Sequence, residues 1–247
     1  MNNELRLLDR ADAKGLSPGA DHYSAYVGPP ALYDIMGASQ FRLLTTLGLR
    51  DRHRVLDFGC GSLRFGRLLL PYLLPEHYFG IEPNAWLVRD AIAAEVGEDQ
   101  IRIKRPRFSH NDDFAVAHFG VAFDFIIAQS ILSHCGADLV GKFLRNCGAS
   151  LSEGGIILVN IAHVGSMGLL RECARDGWAY PECVAYHPAT ILTAIHANGL
   201  SGLCLPWFHP TLSWYAIAKD AKYLPHPAKF AHLSGAILRE REFITSS

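Results

Sequence analysis

The sequence predicts an α/β fold in which a mostly parallel sheet carries helices on both faces. Short apolar runs recur along the 247-residue chain, and segments with helical spacing of apolar residues separate them. The first run, Val55-Leu56-Asp57-Phe58, leads into Gly59 and Gly61, and the second, Tyr78-Phe79-Gly80-Ile81, ends at Glu82. Strands and helices that alternate in this way form parallel, right-handed crossovers.

The elements follow one another in a regular order. Pro29-Pro30 begin a segment that predicts one broken helix or two short helices up to about Leu47, and Pro71 ends the first crossover helix. Residues 1–50 are therefore predicted to form an N-terminal arm and helical cap, 51–220 the main domain with an insertion at about 163–187, and 221–247 a C-terminal tail. The predicted strands include 54–58, 78–82, 101–104, 156–161, 200–205 and 212–218, and the predicted helices are 63–70, 85–96, 138–151 and 188–197.

Composition excludes several classes of function. The 23 basic and 24 acidic residues nearly cancel, and no Lys/Arg run alternates with aromatic residues, so nucleic acid is not expected as a partner. The N-terminus lacks the apolar core of a signal peptide, and no segment reaches the ~18 apolar residues of a membrane span. We therefore expect a cytoplasmic protein with no membrane association. The six cysteines form no C-x-x-C pair and are expected to be reduced thiols.

The spacing around the glycines separates two classes of nucleoside cofactor. A dinucleotide site has the pattern G-x-G-x-x-G, but Arg64 occupies the position of the third glycine. Asp57, directly before the glycines, would repel a pyrophosphate and attract a cationic ligand. Glu82, at the end of the next strand, could accept hydrogen bonds from both hydroxyls of a ribose.

These motifs resemble the class I S-adenosylmethionine-dependent methyltransferases, and in particular bacterial methyltransferases of small molecules or sugars. The likeness covers roughly residues 54–160: the block Asp57–Gly61, Glu82, Asn111–Phe114, the fourth strand in Phe123–Ser130, and Leu151–Val159. It implies a Rossmann-like seven-stranded sheet in the order 3-2-1-4-5-7-6 with strand 7 antiparallel. It also implies S-adenosylmethionine as cofactor and S-adenosylhomocysteine as product.

The resemblance implies a cofactor site at the carboxyl ends of the strands. An acid after the third strand would contact the adenine amino group, and Phe114 would either stack on the purine or belong to the core. Arg64 would pair with the carboxylate of the cofactor or with an acid of the protein. The expected cofactor-binding residues are Asp57, Gly59, Cys60, Gly61, Arg64, Glu82, Asp112, Asp113, Phe114 and Gln129.

Two histidines are candidates for a general base. His134 directly follows the fourth strand, and His209 lies among aromatic residues and prolines between the last two strands. A histidine whose pKa is near neutral can remove the proton of an alcohol or amine acceptor. No carboxylates pair at metal-ligand spacing after the fourth strand, so we expect metal-independent chemistry. The resemblance implies methyl transfer to a small molecule or glycan by direct displacement, with a histidine base or by alignment alone. The histidines, in place of the N-P-P-Y-type motif of amino-group enzymes, favour oxygen as the acceptor atom.

Two other functions fit the same sequence. A non-catalytic module could bind the nucleoside or a partner protein without turnover. An aminopropyltransferase shares the fold but needs an acid-lined polyamine site, for which the region after the fourth strand has few carboxylates. A nicotinamide-dependent dehydrogenase is a third alternative, and it is disfavoured by Asp57 and by Arg64 in place of the third glycine. The identity of the acceptor and the oligomeric state do not follow from the sequence.

Overall fold

The structure is a computed structural model that describes residues 4–235, and the chain divides into two compact units with the boundary after Asp113. The first unit begins with two 3₁₀ turns, Leu5–Leu7 and Asp12–Gly15, and helix α1 (Tyr23–Tyr26). A third 3₁₀ turn, Pro30–Leu32, leads directly into helix α2 (Tyr33–Thr46). The segment predicted as one broken or two short helices is thus a turn followed by a single helix.

The sheet of the first unit has three parallel strands in the order β3-β2-β1. Strand β1 (Val55–Phe58) pairs with β2 (Tyr78–Ile81), which pairs with β3 (Arg107–Ser109). Every residue of β1 and β2 is buried. Strands buried on both faces appear in a sequence as continuous apolar runs, which is why these two strands were predictable.

Helices follow the first two strands of this unit. Helix α3 covers Gly66–Tyr72 and begins later than the predicted start at residue 63. Leu63 has a left-handed φ of 52°, so it belongs to the turn after β1 and not to the helix. Pro71 lies inside the last turn of α3 rather than beyond it. Helix α4 (Ala85–Ala91) continues as a π-helical segment, Ile92–Val96, and together they match the predicted helix 85–96.

The prediction of a third strand at 101–104 was wrong. These residues lie in helix α5 (Glu98–Lys104), and β3 comes after it. The alternation Ile101-Arg102-Ile103-Lys104 imitates a strand, but it is too short to outweigh the charges at the ends of the helix. Acids occupy the first turn and basic residues the last, which complements the helix dipole.

The N-terminal arm, residues 4–28, is held to the first unit by charged and aromatic contacts. Glu95 accepts a hydrogen bond from the Tyr23 hydroxyl (2.8 Å) and pairs with Arg10 at 3.0 Å and with Arg67 at 2.9 Å. Both guanidinium groups lie over the ring of Tyr33, at 4.8 and 5.1 Å from its centroid. The arm is therefore fixed against α2 and α3 by a partly buried network rather than by isolated surface pairs.

Up to residue 235, the second unit contains five strands: β4 (Phe123–Ala128), β5 (Leu151–His163), β6 (Ala185–Tyr186), β7 (Ser201–Leu205) and β8 (Ser213–Ala218). Strand β4 is parallel to β5, and β8 lies antiparallel between β5 and β7. The two-residue β6 pairs with the end of β5. The order is therefore β4-β5-β8-β7, with β6 attached to β5.

Helix α6 (Ala137–Ala149) connects β4 to β5, and α7 (Pro188–Ala197) connects β6 to β7. The described part of the predicted tail contains the 3₁₀ turns Ala221–Tyr223 and Pro227–Lys229 and helix α8 (Phe230–Gly235). Residues 236–247 of that tail lie outside the described residues. None of the helices within residues 4–235 is both long and apolar enough to cross a membrane.

The predicted fold class is confirmed: parallel strands with one antiparallel strand form an α/β fold with helices around it. Within each unit the strand order is the predicted one, 3-2-1 and 4-5-7-6, once the unpredicted β6 is set aside. Ligands of such sheets bind beyond the carboxyl ends of the strands. The segments after β1, β2, β4 and β5 are therefore the places where functional side chains are expected.

Candidate functional site

A glycine turn follows β1. The backbone N–H groups of Gly59 and Cys60 both donate to the carbonyl oxygen of Ile81, at 2.8 and 2.9 Å. Gly59 and Gly61 have φ values of 73° and 52°, in the left-handed region that favours glycine. A Cβ on Gly61 would lie 2.6 Å from Cγ1 of Val27 in the arm. The turn can therefore pass under the arm only because position 61 has no side chain.

Asp57 lies in the third position of β1 and is 4% exposed. The Tyr78 hydroxyl donates to its Oδ2 at 2.9 Å. Burial raises the pKa of Asp57 to about 7, although the Tyr78 hydrogen bond and the charge of Arg64 oppose the shift, and the nearby Glu82 carboxylate adds to it. A carboxyl group of this kind is only partly ionised at neutral pH, and an added cation would favour its charged form.

Glu82 follows β2 and joins the end of that strand to the glycine turn. Its Oε2 accepts from the N–H of Gly61 at 3.1 Å, and its Oε1 accepts from the backbone and side-chain nitrogens of Asn84, both at 2.9 Å. Burial raises the pKa of Glu82 above its usual value. Since an ionised carboxylate has about four acceptor positions, these three bonds orient Glu82 and leave capacity for a ligand hydroxyl.

Two further side chains support Glu82. The Nδ1 atom of His110 lies 2.6 Å from the Glu82 carbonyl oxygen, and the hydroxyl of Tyr26 in the arm is hydrogen bonded to Asn84. The ring of Tyr26 also packs edge-on against Trp86, with centroids 5.4 Å apart. The arm thus contributes an aromatic residue beside the strand-end acid.

Arg64 also contacts the arm. Its Nη1 donates to the carbonyl oxygen of Val27 at 2.9 Å, and burial lowers the pKa of its guanidinium. Its own carbonyl lies so close to α2 that a Cβ on Gly37 would be 2.6 Å from it. The residue that departs from the dinucleotide pattern therefore links the glycine turn to the arm and to α2.

The residues expected at the adenine end are less enclosed. Asp112 and Asp113 are exposed, and Asn111 donates to Oδ1 of Asp113 at 2.8 Å. Phe114 begins the second unit with a φ of 61°, and its carbonyl oxygen accepts from Nδ2 of Asn146 at 2.8 Å. Their contact with a cofactor stays a prediction.

In the second unit, buried polar groups gather after β4. Gln129 is 8% exposed, and its Oε1 has no hydrogen-bond partner among the described residues. Ser130, with a φ of 58°, donates its backbone N–H to Oδ1 of Asn160 at 2.7 Å. Within residues 4–235, Asn160 Nδ2 and Ser133 Oγ are likewise buried without a partner. Buried polar atoms of this kind are normally satisfied by a ligand or by water.

His134 ends a 3₁₀ turn, Leu132–His134, and is 7% exposed. Its Nδ1 lies 2.6 Å from the carbonyl oxygen of Glu182. A carbonyl can only accept, so Nδ1 carries the proton and the neutral ring has its lone pair on Nε2. Burial lowers the pKa of His134, which keeps the ring neutral near pH 7 and able to accept a proton.

The second histidine candidate has the opposite arrangement. His209 lies in the loop between β7 and β8, and its Nδ1 accepts the backbone N–H groups of Thr211 at 3.2 Å and Leu212 at 3.1 Å. The proton of the neutral ring is therefore on Nε2, which makes His209 a hydrogen-bond donor on its outer side. Within residues 4–235, no group of three or more His, Cys, Asp or Glu side chains could hold a metal ion.

Sequence reasoning missed several supporting residues. Asn160 had a visible signal, because it is a polar residue inside the apolar run of β5. Asn84 lies only two positions after Glu82 and could have been proposed as its partner. Tyr78 and His110 carried no such signal, since their partners become neighbours only when β1, β2 and β3 pair.

The central part of the chain matches a known family. Residues 56–157 match the family model Methyltransf_12, described as a methyltransferase domain. The matched span contains the glycine turn, both strand-end acids and His134, and the predicted resemblance to class I methyltransferases is confirmed. No curated protein matches the sequence.

Solved structures share this fold. DhpI in complex with S-adenosylhomocysteine is 17% identical with a TM-score of 0.58, and the match covers 91% of this chain and 97% of that one. Magnesium protoporphyrin IX methyltransferase from Synechocystis PCC 6803, with bound S-adenosylmethionine, is 14% identical with a TM-score of 0.57, covering 85% and 90%. The glycopeptide N-methyltransferase MtfA, complexed with S-adenosylhomocysteine, is 14% identical with a TM-score of 0.56, covering 74% and 87%. At these identities the similarity is one of fold.

Proposed function

We propose that this protein is an S-adenosylmethionine-dependent methyltransferase that transfers a methyl group to a small-molecule acceptor, at oxygen, with His134 as the base. One observation carries the proposal: the buried carboxylates of Asp57 and Glu82 flank a glycine turn within the segment that matches a methyltransferase domain. The solved structures of similar fold that contain the cofactor or its product support the same class.

The chemistry of the site fits the cofactor. Both carboxyl groups have raised pKa values because they are buried, and the charge of Glu82 adds to the shift of Asp57. A ligand that carries an ammonium and a sulfonium would relieve this repulsion, while one of its ribose hydroxyls could donate to the remaining acceptor position of Glu82. We therefore assign Asp57, Glu82 and the glycine turn between them to the cofactor.

The bound cofactor would supply a methyl group already activated by the positive charge on sulfur. The protein then has to orient the acceptor, exclude water and take up one proton. His134 fits the last role, since its Nδ1–H is fixed by Glu182 and its Nε2 can accept the proton of an acceptor hydroxyl.

Isothermal titration calorimetry with S-adenosylmethionine and S-adenosylhomocysteine tests the cofactor assignment. Glu82→Gln should weaken binding by roughly 10- to 100-fold, because hydrogen bonds to a charged group contribute about 1.5–3 kcal/mol. Glu98→Gln is the matched control: it makes the same change at an exposed acid in the same unit and should bind as the wild type does. Thermal unfolding of each variant separates loss of binding from loss of fold.

Failure of the folded wild type to bind either compound would contradict the proposal. So would equal binding by wild type and Glu82→Gln. Cofactor binding without transfer to any acceptor in a broad screen would favour the non-catalytic alternative instead.

A further inference from the structure

Two aromatic side chains of the segment 163–187 lie beside His134. The rings of Trp178 and Tyr180 are stacked, with centroids 6.4 Å apart and an interplanar angle of 26°. Their centroids lie 5.7 and 5.1 Å from that of the His134 imidazole. Aromatic rings thus lie beside a histidine whose neutral ring has its lone pair on Nε2, because its Nδ1–H donates to the carbonyl oxygen of Glu182. We call Trp178, Tyr180 and His134 the aromatic cluster.

The backbone that carries the aromatic cluster is firmly paired. The N–H of Ala179 donates to the carbonyl oxygen of His134 at 2.8 Å, and the N–H of Gly136 donates to the carbonyl oxygen of Gly177 at 2.8 Å. Trp178 itself forms an isolated antiparallel bridge with Cys135. The indole is therefore presented from a fixed position, directly opposite the segment that contains His134.

Trp178 nevertheless leaves 47% of its surface exposed. Leaving the large apolar area of an indole in water costs free energy. Because the backbone on both sides of Trp178 is paired, the segment cannot shift to bury this side chain without breaking those hydrogen bonds. An exposed aromatic face beside a buried polar acceptor is the usual composition of a small-molecule pocket, in which apolar area gives affinity and a few polar atoms give orientation.

We propose that the aromatic cluster is the acceptor subsite and that it takes a planar aromatic alcohol, a phenol. The ring of the phenol stacks on the exposed face of Trp178, and its hydroxyl donates to Nε2 of His134. This inference rests on the proposed function, since it names the acceptor class for the same methyl transfer. In that reaction the phenol oxygen forms a bond to the methyl carbon, the carbon–sulfur bond breaks with its electron pair left on sulfur, and the phenol proton passes to Nε2.

A phenol suits a lone neutral histidine better than an aliphatic alcohol does. A phenolic hydroxyl has a pKa of about 10, as in tyrosine, so an imidazole can remove its proton as the methyl bond forms. An aliphatic alcohol is far less acidic and offers no flat face to the indole. The aromatic cluster therefore selects through both stacking and acidity.

Ligand-observed ¹⁹F NMR provides the test, with 4-fluorophenol and 4-fluorocyclohexanol as probes of similar size. Spectra are recorded with the full chain in the presence of saturating S-adenosylhomocysteine. We expect the phenol signal to broaden on addition of protein and the cyclohexanol signal to stay sharp. Trp178→Ala should weaken phenol binding by roughly fivefold to tenfold, whereas Trp178→Phe should keep most of it, because phenylalanine still offers an aromatic face for stacking.

Leu170→Ala is the matched control, since Leu170 is an exposed apolar residue of the same segment, 80% exposed. It should leave phenol binding unchanged. Equal broadening of the two probes, or the same phenol affinity in wild type and Trp178→Ala, would overturn the assignment.

A calorimetric titration with S-adenosylhomocysteine keeps this result separate from the proposed function. Trp178→Ala should bind that compound as tightly as the wild type, because the change affects only the acceptor subsite. If the wild type binds S-adenosylhomocysteine but discriminates neither probe, the phenol subsite is wrong and the cofactor assignment stands. If it binds the phenol selectively but no S-adenosylhomocysteine, the aromatic cluster is a phenol site and the methyltransferase proposal fails.

Discussion

The acids of the first unit and the histidine of the second unit are positioned in different ways. Asp57 and Glu82 are each held by a partner 21 residues away, Tyr78 and Gly61, within two consecutive strand–helix steps. His134 is oriented by the carbonyl oxygen of Glu182, 48 residues away in a segment with little regular structure.

This difference separates groups that are positioned by the pairing of strands from groups that are positioned by an irregular segment. A carboxylate at the end of a strand is fixed as soon as two neighbouring strands pair. A histidine that depends on a loop takes its tautomer and surroundings from whatever that loop contains, here a carbonyl group and two aromatic rings. The first unit should therefore determine which cofactor binds, and the second which acceptor is used.

The largest expected effect distinguishes the two histidines. His134→Gln should lower the single-turnover rate of methyl transfer by roughly 10²- to 10⁴-fold, the usual contribution of a general base. His209→Gln should lower it far less, because Nδ1 of His209 accepts two backbone N–H groups and its outer nitrogen is protonated. The rate is measured by ¹⁹F NMR as 4-fluorophenol is converted to its methyl ether.

His196→Gln, at an exposed histidine of α7, serves as the control and should react at the wild-type rate. A rate for His134→Gln within about threefold of the wild type would exclude a base at this position. A larger loss of rate for His209→Gln than for His134→Gln would indicate that the base is His209, in the loop between β7 and β8.

The next effect concerns the contact between the arm and the glycine turn. Gly61→Ala should destabilise the protein through two causes, the left-handed φ of 52° and a Cβ placed 2.6 Å from Cγ1 of Val27. Gly120→Ala isolates the first cause, because Gly120 has a φ of 69° and no atom within 4 Å of the added Cβ. We expect a loss of about 1 kcal/mol for Gly120→Ala and at least twice that for Gly61→Ala.

A double-mutant cycle with Val27→Ala measures the contact itself by urea unfolding. If Val27 and Gly61 are packed as described, the two changes together should cost about 0.5–3 kcal/mol less than the sum of the single changes. Additive losses would show that the arm does not lie on the turn in solution.

These comparisons also show which parts of the molecule could be predicted from sequence. The strands β1 and β2 and the residues Gly61 and Glu82 were predictable, because apolar runs, glycines and strand-end acids are local signals. Helix α5 was wrongly predicted as a strand at 101–104, because the alternation of four residues competed with helix-end charges that only a longer window reveals.

The acceptor side shows the limit most clearly. His134 could be named because it follows a predicted strand, but its Glu182 partner could not, since the segment 163–187 has no periodicity that fixes its path. The same holds for Trp178, whose position beside His134 depends on the backbone pairing of Ala179 with His134. Contacts made by an irregular loop follow from tertiary structure and leave little trace in local pattern.

The smallest expected effect is the pH dependence of cofactor binding, which depends on Asp57 in the first unit. Burial raises the pKa of Asp57 from 3.8 to about 7. Below pH 7 a proton therefore competes with a cationic ligand for the Asp57 carboxylate. Affinity for S-adenosylmethionine should therefore fall by up to about tenfold per pH unit below pH 7, and Asp57→Asn should remove this component. Calorimetry between about pH 6 and pH 8 measures it.

Stability should change in the opposite direction at the same residue. A carboxyl group whose folded pKa lies above its unfolded value stabilises the fold fully below pH 3.8 and loses that contribution as the pH rises through about 7. Asp57→Asn should therefore be more stable than the wild type at pH 8, by an amount on the order of 1–3 kcal/mol, and the gain should shrink as the pH falls. Equal urea midpoints for the two proteins at pH 8 would contradict this prediction. They would mean that the ionised Asp57 does not destabilise the fold, because groups of the protein already compensate its charge without a ligand.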